Sequence, residues 1–399
     1  MNNYTNKMED KTKEFINKHL NEDIHTLSLR HKNDSSIDIE LALRQIVGKN
    51  KAKYKIPSYY LNDEILYPAQ LSLEQSSSES TAKYKSTLVE GTSIVDLTGG
   101  FGIDCYFLSK NFKKAVYVER HTELCEYASN NFKVLDATNI EIVNDTSESY
   151  LQKMKAVDLI YIDPARRNKY GKKVVSLSDC EPDISILYPL LLEKAEKIMI
   201  KLSPMFDIHL ALSELPNTNE VHIISVDNEC KELILILSRT KSDKIPLKMI
   251  NLTKNNSLQY FESEIGNELL TECKFAAEIL LYLYEPNSSI MKGGAFKHIA
   301  KSFNLKKLHI NTHLYTSNEL ITDFPGRVFT VISVSDSSKV ELKKLYATTP
   351  KANINVRNYP LTVEEFRKKT KITDGGTDYI FACKLNNDKN IIVKCTKTI

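Results

Sequence analysis

The sequence predicts an α/β protein: a mostly parallel sheet of seven strands, the last antiparallel, with a helical region before it and an α+β part after it. Three observations predict this. Between about residues 93 and 240 short apolar runs alternate with helical stretches, an order that requires right-handed crossovers and a parallel sheet. Before residue 90 the apolar residues follow helical spacing. After Ser238 strand-like runs mix with helices and the alternation stops.

The elements follow in order. Ile39, Leu43, Ile46 and Val47 recur at helical spacing behind the capping candidates Ser35 and Ser36, with Asp38 and Glu40 in the first turn. Pro57 and Pro68 interrupt the helical pattern later. Ser93–Leu97 reads as a strand, followed by a glycine turn and a helix from about Ile103 to Lys110. Ala115–Val118 is the next strand, with a helix from about Thr122 to Phe132. Ile140–Val143, Leu159–Ile162 and Lys197–Leu202 continue the series. Val221–Val226 and Leu233–Leu237 are joined by a few residues, which predicts an antiparallel pair at the sheet edge. Beyond them, Val328–Val334, Tyr379–Cys383 and Ile391–Val393 read as strands, and Lys274–Leu283 and Val363–Lys369 as helices. The expected domains are 1–90, 91–240, 241–324 and 325–399, the last boundary falling at Phe324-Pro325-Gly326-Arg327.

Composition narrows the function classes. With 42% hydrophobic and 26% charged residues in 399, the chain can bury more than one core. No apolar run approaches the roughly 20 residues of a membrane span, and the first residues carry no apolar leader, so a soluble, cytoplasmic protein is expected. The seven cysteines are scattered singly, which argues for buried thiols rather than disulfides or a zinc ribbon. Charge is uneven: residues 1–240 carry 30 Lys/Arg against 35 Asp/Glu, and residues 241–399 carry 24 against 16. The basic C-terminal part suits a polyanion partner or a solvated basic surface.

Glycine is scarce, 12 in all, so its clusters carry meaning. Ile94-Val95-Asp96-Leu97-Thr98-Gly99-Gly100-Phe101-Gly102-Ile103-Asp104 is a buried strand ending in an acid, then a glycine turn opening a helix. Such a turn lets the backbone approach a ligand, and helix N-terminal amides can receive its polar groups. The dinucleotide fingerprint Gly-x-Gly-x-x-Gly fails, because counting from Gly100 the third position is Cys105. Val116-Tyr117-Val118-Glu119 is a second strand ending in an acid, and Asp145 follows the third strand. Asp158-Leu159-Ile160-Tyr161-Ile162-Asp163-Pro164-Ala165-Arg166-Arg167 ends a strand in an acid and a proline, which fixes the turn at the carboxyl end of the sheet. Five cations and a tyrosine follow in Arg166–Lys173, fit for phosphates and base stacking or for a solvated loop. His309 and His313 have helical metal spacing but lack the Glu of His-Glu-x-x-His, so no metal site is expected. Met291–Lys297 lacks the Gly-Lys-(Ser/Thr) of a P-loop.

The glycine turn resembles motif I of the class I S-adenosylmethionine-dependent methyltransferases. The resemblance implies that Asp96, Thr98, Gly99, Gly100 and Gly102 border the cofactor's methionine part, that Glu119 holds its ribose hydroxyls and that Asp145 faces its adenine. Asp163-Pro164-Ala165-Arg166 resembles the catalytic (Asp/Asn)-Pro corner of nucleic-acid methyltransferases, in the variant seen in some uridine-C5 enzymes. Those enzymes need a cysteine nucleophile after the next strand. Here that strand exits into Ser203-Pro204-Met205, so an amine target is expected instead. Leu73–Tyr84 is similar to a polar segment bordering the cofactor in exocyclic-amine RNA cap methyltransferases, with a helix N-cap as the alternative.

Nearly the full length resembles a bacterial family of class I methyltransferases with an N-terminal helical region, a ferredoxin-like segment and a C-terminal THUMP-like domain. Ser288–Lys297, Leu314–Ser317, Phe324–Arg327, Val356–Leu361 and Asp374–Tyr379 carry it. It implies a Rossmann-like sheet, S-adenosylmethionine as cofactor and RNA, tRNA or rRNA, as partner, with Asp163 and Pro164 catalytic and Arg166 holding substrate. The competing expectation is an RNA-binding protein that keeps the fold without turnover. Methylation of a small molecule or protein is a third option, against which the basic C-terminal part argues.

Overall fold

A computed structural model of the chain describes residues 10–31, 36–166, 176–255 and 257–398. The N-terminal region is helical as expected: α1 (Asp10–His19), α2 (Ile24–Arg30), α3 (Ile39–Lys55), α4 (Pro57–Tyr60), α5 (Gln70–Gln75) and α6 (Glu79–Ser86). Asp38 caps α3, its carboxylate accepting from the Leu41 amide at 2.9 Å. Ser36 therefore lies upstream of the cap, and Ser35 lies outside the described residues.

The alternating part follows as β1 (Gly91–Asp96), α7 (Ile103–Ser109), β2 (Phe112–Glu119), α8 (Thr122–Val134), β3 (Ile140–Asn144), α9 (Ser147–Lys153) and β4 (Val157–Ile162). A two-residue ladder, β5 (Ala165–Arg166) with β6 (Cys180–Glu181), precedes α10 (Ile184–Lys194), β7 (Ala195–Leu202) and α11 (Ile208–Glu214). Then come β8 (Thr218–Val226), β9 (Glu229–Ser238), β10 (Pro246–Leu252) and β11 (Leu258–Glu264). The chain divides into two units: residues 1–219 with 234–242, and residues 220–233 with 243–399, so β8 and β9 pass through both.

In the first unit the strands order β9-β7-β4-β1-β2-β3. Pairing of β1 with β2, β1 with β4, β2 with β3 and β4 with β7 is parallel, as the alternation predicts. The helical region packs on this sheet: Tyr59, Leu73 and Ala82 share a core with Phe101, Ile103, Tyr106 and Tyr117. Two side-chain amides fasten an extended stretch of that region. Gln45 exchanges two hydrogen bonds with the Tyr67 backbone, and Asn131 of α8 two with the Leu66 backbone, at 2.8–2.9 Å.

In the second unit β8 and β9 form a hairpin over Asp227-Asn228, both at positive φ, the geometry of a two-residue I′ turn. This pair is not at the edge. β9 lies between β7 and β8, and β10 pairs in parallel along the other side of β8 from Leu247↔Val221 to Leu252↔Val226. β11 pairs antiparallel with β10, so among the described residues nine strands stand where seven were expected. β8 is buried along Val221–Ser225, and a strand buried in this way needs a ladder partner on each side.

After the short α12 (Asn267–Leu270) come β12 (Tyr282–Pro286), α13 (Ser288–Gly293), α14 (Phe296–Ser302), β13 (Lys306–Lys307), β14 (Tyr315–Ser317) and β15 (Gly326–Asp336). The chain continues through α15 (Lys339–Thr348), β16 (Asn353–Arg357), α16 (Val363–Thr370), β17 (Asp378–Lys384) and β18 (Asn390–Lys397). The seven strands of this part order β13-β14-β12-β15-β18-β17-β16. The expected helix at Val363 is present and carries a capping box between Thr362 and Glu365. The helix expected over Lys274–Leu283 is absent. There the backbone pairs with β13 instead, Ala276 N donating to Lys307 O at 2.9 Å and Lys307 N to Lys274 O at 2.8 Å, and Tyr282 and Leu283 open β12. Hydrogen bonds to a distant strand replace the local ladder that helical spacing suggests. Among the described residues no helix is long and apolar enough to cross a membrane.

Candidate active site

The site begins at the carboxyl end of β1. Asp96 is 1% exposed, and its carboxylate accepts from the Thr98 amide at 2.9 Å. Burial pushes this carboxyl well above the usual range, reinforced by Asp104, Asp163 and Glu119 nearby. The turn after it needs its glycines. Gly100 and Gly102 have φ of +54° and +84°, and Gly102 opens α7. Gly99 abuts the Tyr117 ring, whose hydroxyl donates to Gly100 O at 2.6 Å.

Glu119 ends β2 beside this turn. One carboxylate oxygen accepts from the Gly100 amide at 2.9 Å and the other from the His121 amide at 2.9 Å. Asp145 reaches the same end of the sheet, its amide donating to Glu119 O at 3.1 Å. Its carboxylate is engaged by the Thr146 amide, Ser149 Oγ and Lys153 Nζ, the last at 2.5 Å, and Lys153 first among them holds it below the usual range.

The Asp-Pro corner lies next to the glycine turn because β1 and β4 are neighbours, with Asp96 opposite Tyr161. The Asp163 amide donates to Thr98 Oγ1 at 2.7 Å, which ties the corner to the turn directly. Asp163 carries an ion pair with Lys201 Nζ at 2.5 Å. Desolvation raises the Asp163 carboxyl, and Lys201 opposes that most strongly. Pro164 is buried and leads into β5. Arg166 belongs to β5 by its backbone, whereas its side chain and the basic run Arg167–Lys173 lie outside the described residues.

The sequence pattern did not single out what lies underneath. Asp104 in the first turn of α7 accepts from Ser77 Oγ and Tyr161 Oη, both at 2.7 Å, and pairs with Lys85 Nζ at 2.7 Å. Lys201 Nζ stands 3.9 Å from the same carboxylate. Lys85 is fully buried, and with Lys201 it holds the Asp104 carboxyl down at about 2. The visible signals were a lysine inside the apolar run Ile198–Leu202 and a tyrosine inside Leu159–Ile162. In the polar segment before β1, Ser78 is the N-cap of α6, while Ser77 and Lys85 reach into this network.

His309 and His313 flank the turn at 310–312 and face different partners. His309 contacts Asn311 and Asn358, and His313 stacks on Phe296 at 3.6 Å. Cys105, Cys125, Cys180, Cys383 and Cys395 are buried free thiols, and Cys230 and Cys273 are half-buried.

Comparison with known proteins adds to this geometry. A ferredoxin-like domain family matches residues 282–325, and a THUMP domain-like family matches residues 326–397. A Porphyromonas gingivalis W83 protein with a provisional methyltransferase assignment is 32% identical, covers 98% of each chain and superposes with a TM-score of 0.86. The chain belongs to this methyltransferase family, which carries ferredoxin-like and THUMP-like domains at its C-terminus. An rRNA methylase of Streptococcus thermophilus matches 41% of this chain and 96% of its own at 13% identity, with a TM-score of 0.31. TrmK of M. capricolum, in complex with S-adenosylhomocysteine, matches 40% of this chain and 68% of its own at 13% identity and the same TM-score of 0.31. Likeness at that level adds nothing to the argument. No curated protein matches the chain.

The residues at the carboxyl ends of β1, β2 and β4 could hold a polar ligand such as a nucleoside. A Cβ at Gly100 would meet nothing nearer than Thr98 O at 3.8 Å, so the turn leaves open space. Glu119 is bonded to the Gly100 amide at the turn itself, and Asp96 lies buried beneath it, held by the Thr98 amide.

Proposed function

We propose that this chain is a cytoplasmic S-adenosylmethionine-dependent methyltransferase that modifies RNA, tRNA or rRNA, at a base amine. One observation carries the reading: the Asp163 amide is bonded to Thr98 Oγ1 of the glycine turn, which sets an acceptor carboxylate beside a cofactor-type turn. In this reading the Asp96–Gly102 turn holds the cofactor's methionine part, Glu119 its ribose hydroxyls and Asp145 its adenine. Bound S-adenosylmethionine supplies a methyl group already activated by the sulfonium charge. Asp163 accepts a hydrogen bond from the substrate amine and aims its lone pair. Pro164 shapes the corner, and Arg166 holds a substrate phosphate. In-line positioning and exclusion of water supply the rate.

The RNA assignment is supported by the THUMP-like match over residues 326–397 and by the 24 Lys/Arg against 16 Asp/Glu after residue 240. The test compares modified nucleosides by mass spectrometry in RNA from cells with and without the gene. One methylated nucleoside absent from the deletion strain is expected. Identical nucleoside profiles, in a protein that still binds S-adenosylhomocysteine and RNA, would favour a binding protein without turnover.

A further inference from the structure

We propose that Lys201 is the positioning residue for Asp163, and that a buried chain of alternating charges through Asp104 to Lys85 anchors it. This rests on the reading of Asp163 as the acceptor of the substrate amine. Lys201 and Asp163 come from adjacent parallel strands, one residue past the ladder pair Ile162↔Ile200. Register therefore sets the two side chains side by side at the mouth of the sheet. Lys201 is held from both ends. Its Nζ lies 2.5 Å from Asp163 Oδ2 and 3.9 Å from Asp104 Oδ2. Asp104 cannot swing toward it or away, because Tyr161 Oη, Ser77 Oγ and Lys85 Nζ all hold its carboxylate at 2.7 Å.

Two features set this apart from packing. Lys85 and Asp104 already neutralise one another in the interior, so a second lysine is not needed there for charge balance. Lys201 instead turns the chain outward, to a carboxylate whose side chain is still 33% exposed. The titratable groups facing Asp163 are Lys201 of β7, Asp104 of α7, Lys85 of α6 and Asp96 of β1, the last held towards its neutral form by burial. Desolvation and the Asp104 carboxylate favour a protonated Asp163, and the two ammonium groups oppose them. A protonated Asp163 would present an O–H where the amine needs an acceptor. Lys201 keeps the acceptor form and fixes which oxygen remains for the substrate, since Oδ2 is already taken. As the nitrogen–methyl bond forms and the methyl–sulfur bond breaks, the nitrogen releases one proton. Asp163 accepts it and passes it to solvent.

The test uses the full chain, tritiated S-adenosylmethionine and total RNA from a strain lacking the gene, over about pH 6 to 9. Lys201→Met should lose at least about 10-fold in turnover near neutrality, with KM for S-adenosylmethionine unchanged. The acid limb of its pH profile should move to higher pH and activity should recover toward the alkaline end. Lys201→Arg should restore most of the activity, and Lys201→Gln supplies a second neutral variant if the Met variant misfolds. A parallel measurement needs no substrate: the Asp163 carboxyl, labelled with carbon-13 and assigned by Asp163→Asn, should titrate at higher pH in Lys201→Met than in the wild type. Equal midpoints, or superimposable pH profiles, would overturn the proposal. A wild-type protein that methylates no RNA removes the functional reading instead, while the carboxyl titration still decides whether Lys201 controls Asp163.

Discussion

Replacing Gly99 with alanine tests the glycine turn by sterics alone. Gly99 is not among the residues at positive φ, so an alanine there meets no backbone penalty. It meets Tyr117 instead. An added Cβ would stand 2.6 Å from the ring's Cδ2, inside van der Waals contact. Neither side can yield. Tyr117 is fully buried, donates its hydroxyl to Gly100 O at 2.6 Å and packs edge-on against Phe132 at 5.6 Å. The Gly99 amide is bound to Val118 O at 2.9 Å, and its carbonyl accepts from Gly102 N at 2.8 Å. Overpacking of this kind costs about 1–3 kcal/mol. In a unit of roughly 200 residues that lowers Tm by about 2–12 °C. Calorimetric unfolding reads the stability, and titration with S-adenosylhomocysteine reads the turn, which should bind more weakly. Tyr117→Leu in the same chain opens the space, so the double variant should recover a coupling of about 0.5–3 kcal/mol. A Gly99→Ala protein with wild-type Tm and cofactor affinity, or a double variant with no recovery, would refute the close approach on which the turn is argued.

Four further outcomes are expected. Glu119→Ala should weaken S-adenosylhomocysteine binding by about 1–3 kcal/mol in calorimetry, while NAD binds neither protein. Asp163→Ala should leave that affinity nearly intact and lower methyl transfer to RNA by about 100-fold or more, with Asp163→Asn keeping part of it through its amide oxygen. Full activity in Asp163→Ala would remove this corner from the mechanism. Replacing the exposed Lys368, Lys369 and Lys371 by glutamine should reduce the salt slope of RNA binding by roughly 0.7–0.9 per lost phosphate contact. An unchanged slope would make that face mere solvated surface. Asp104 titrates near 2 in the folded chain, below its unfolded value, so its stabilisation is present above about pH 4 and is lost as pH falls from there toward 2. Lys85→Met should move that acid-dependent step to higher pH in chemical unfolding, with Lys201 as the remaining cation, and cost about 3–5 kcal/mol at neutrality, since it leaves Asp104 buried without its nearest cation.

Legibility in the sequence followed the distance over which each signal acts. The Asp96–Gly102 turn, the ends of β2 and β4 and the helix at Val363 are written in neighbouring residues, and each was found where expected. Asp145 was placed at the right end of the sheet, but Lys153, eight residues on, holds its carboxylate. The segment from Lys274 to Leu281 misled because its apolar spacing suits a helix while its Ala276 amide and Lys274 carbonyl are taken by Lys307 and its Leu281 carbonyl by Val331. The hairpin of β8 and β9 was legible as a pair from its short turn, but not as an insertion beside β7.

The sequence by itself determined the α/β class, the parallel core of the sheet, the glycine turn and the acids that end its strands. These follow from local periodicity and from turn chemistry, which need only a few consecutive residues. Tertiary structure alone decided the nine-strand order and the meeting of Lys85, Asp104, Lys201 and Asp163. Strand order depends on which buried strand still lacks ladder partners, and β10 fills that place for β8. The charge chain depends on parallel register between β4 and β7 and on α6 packing against α7. No periodicity records such encounters, because a lysine in an apolar run shows only that a partner must exist, and the fold supplies it.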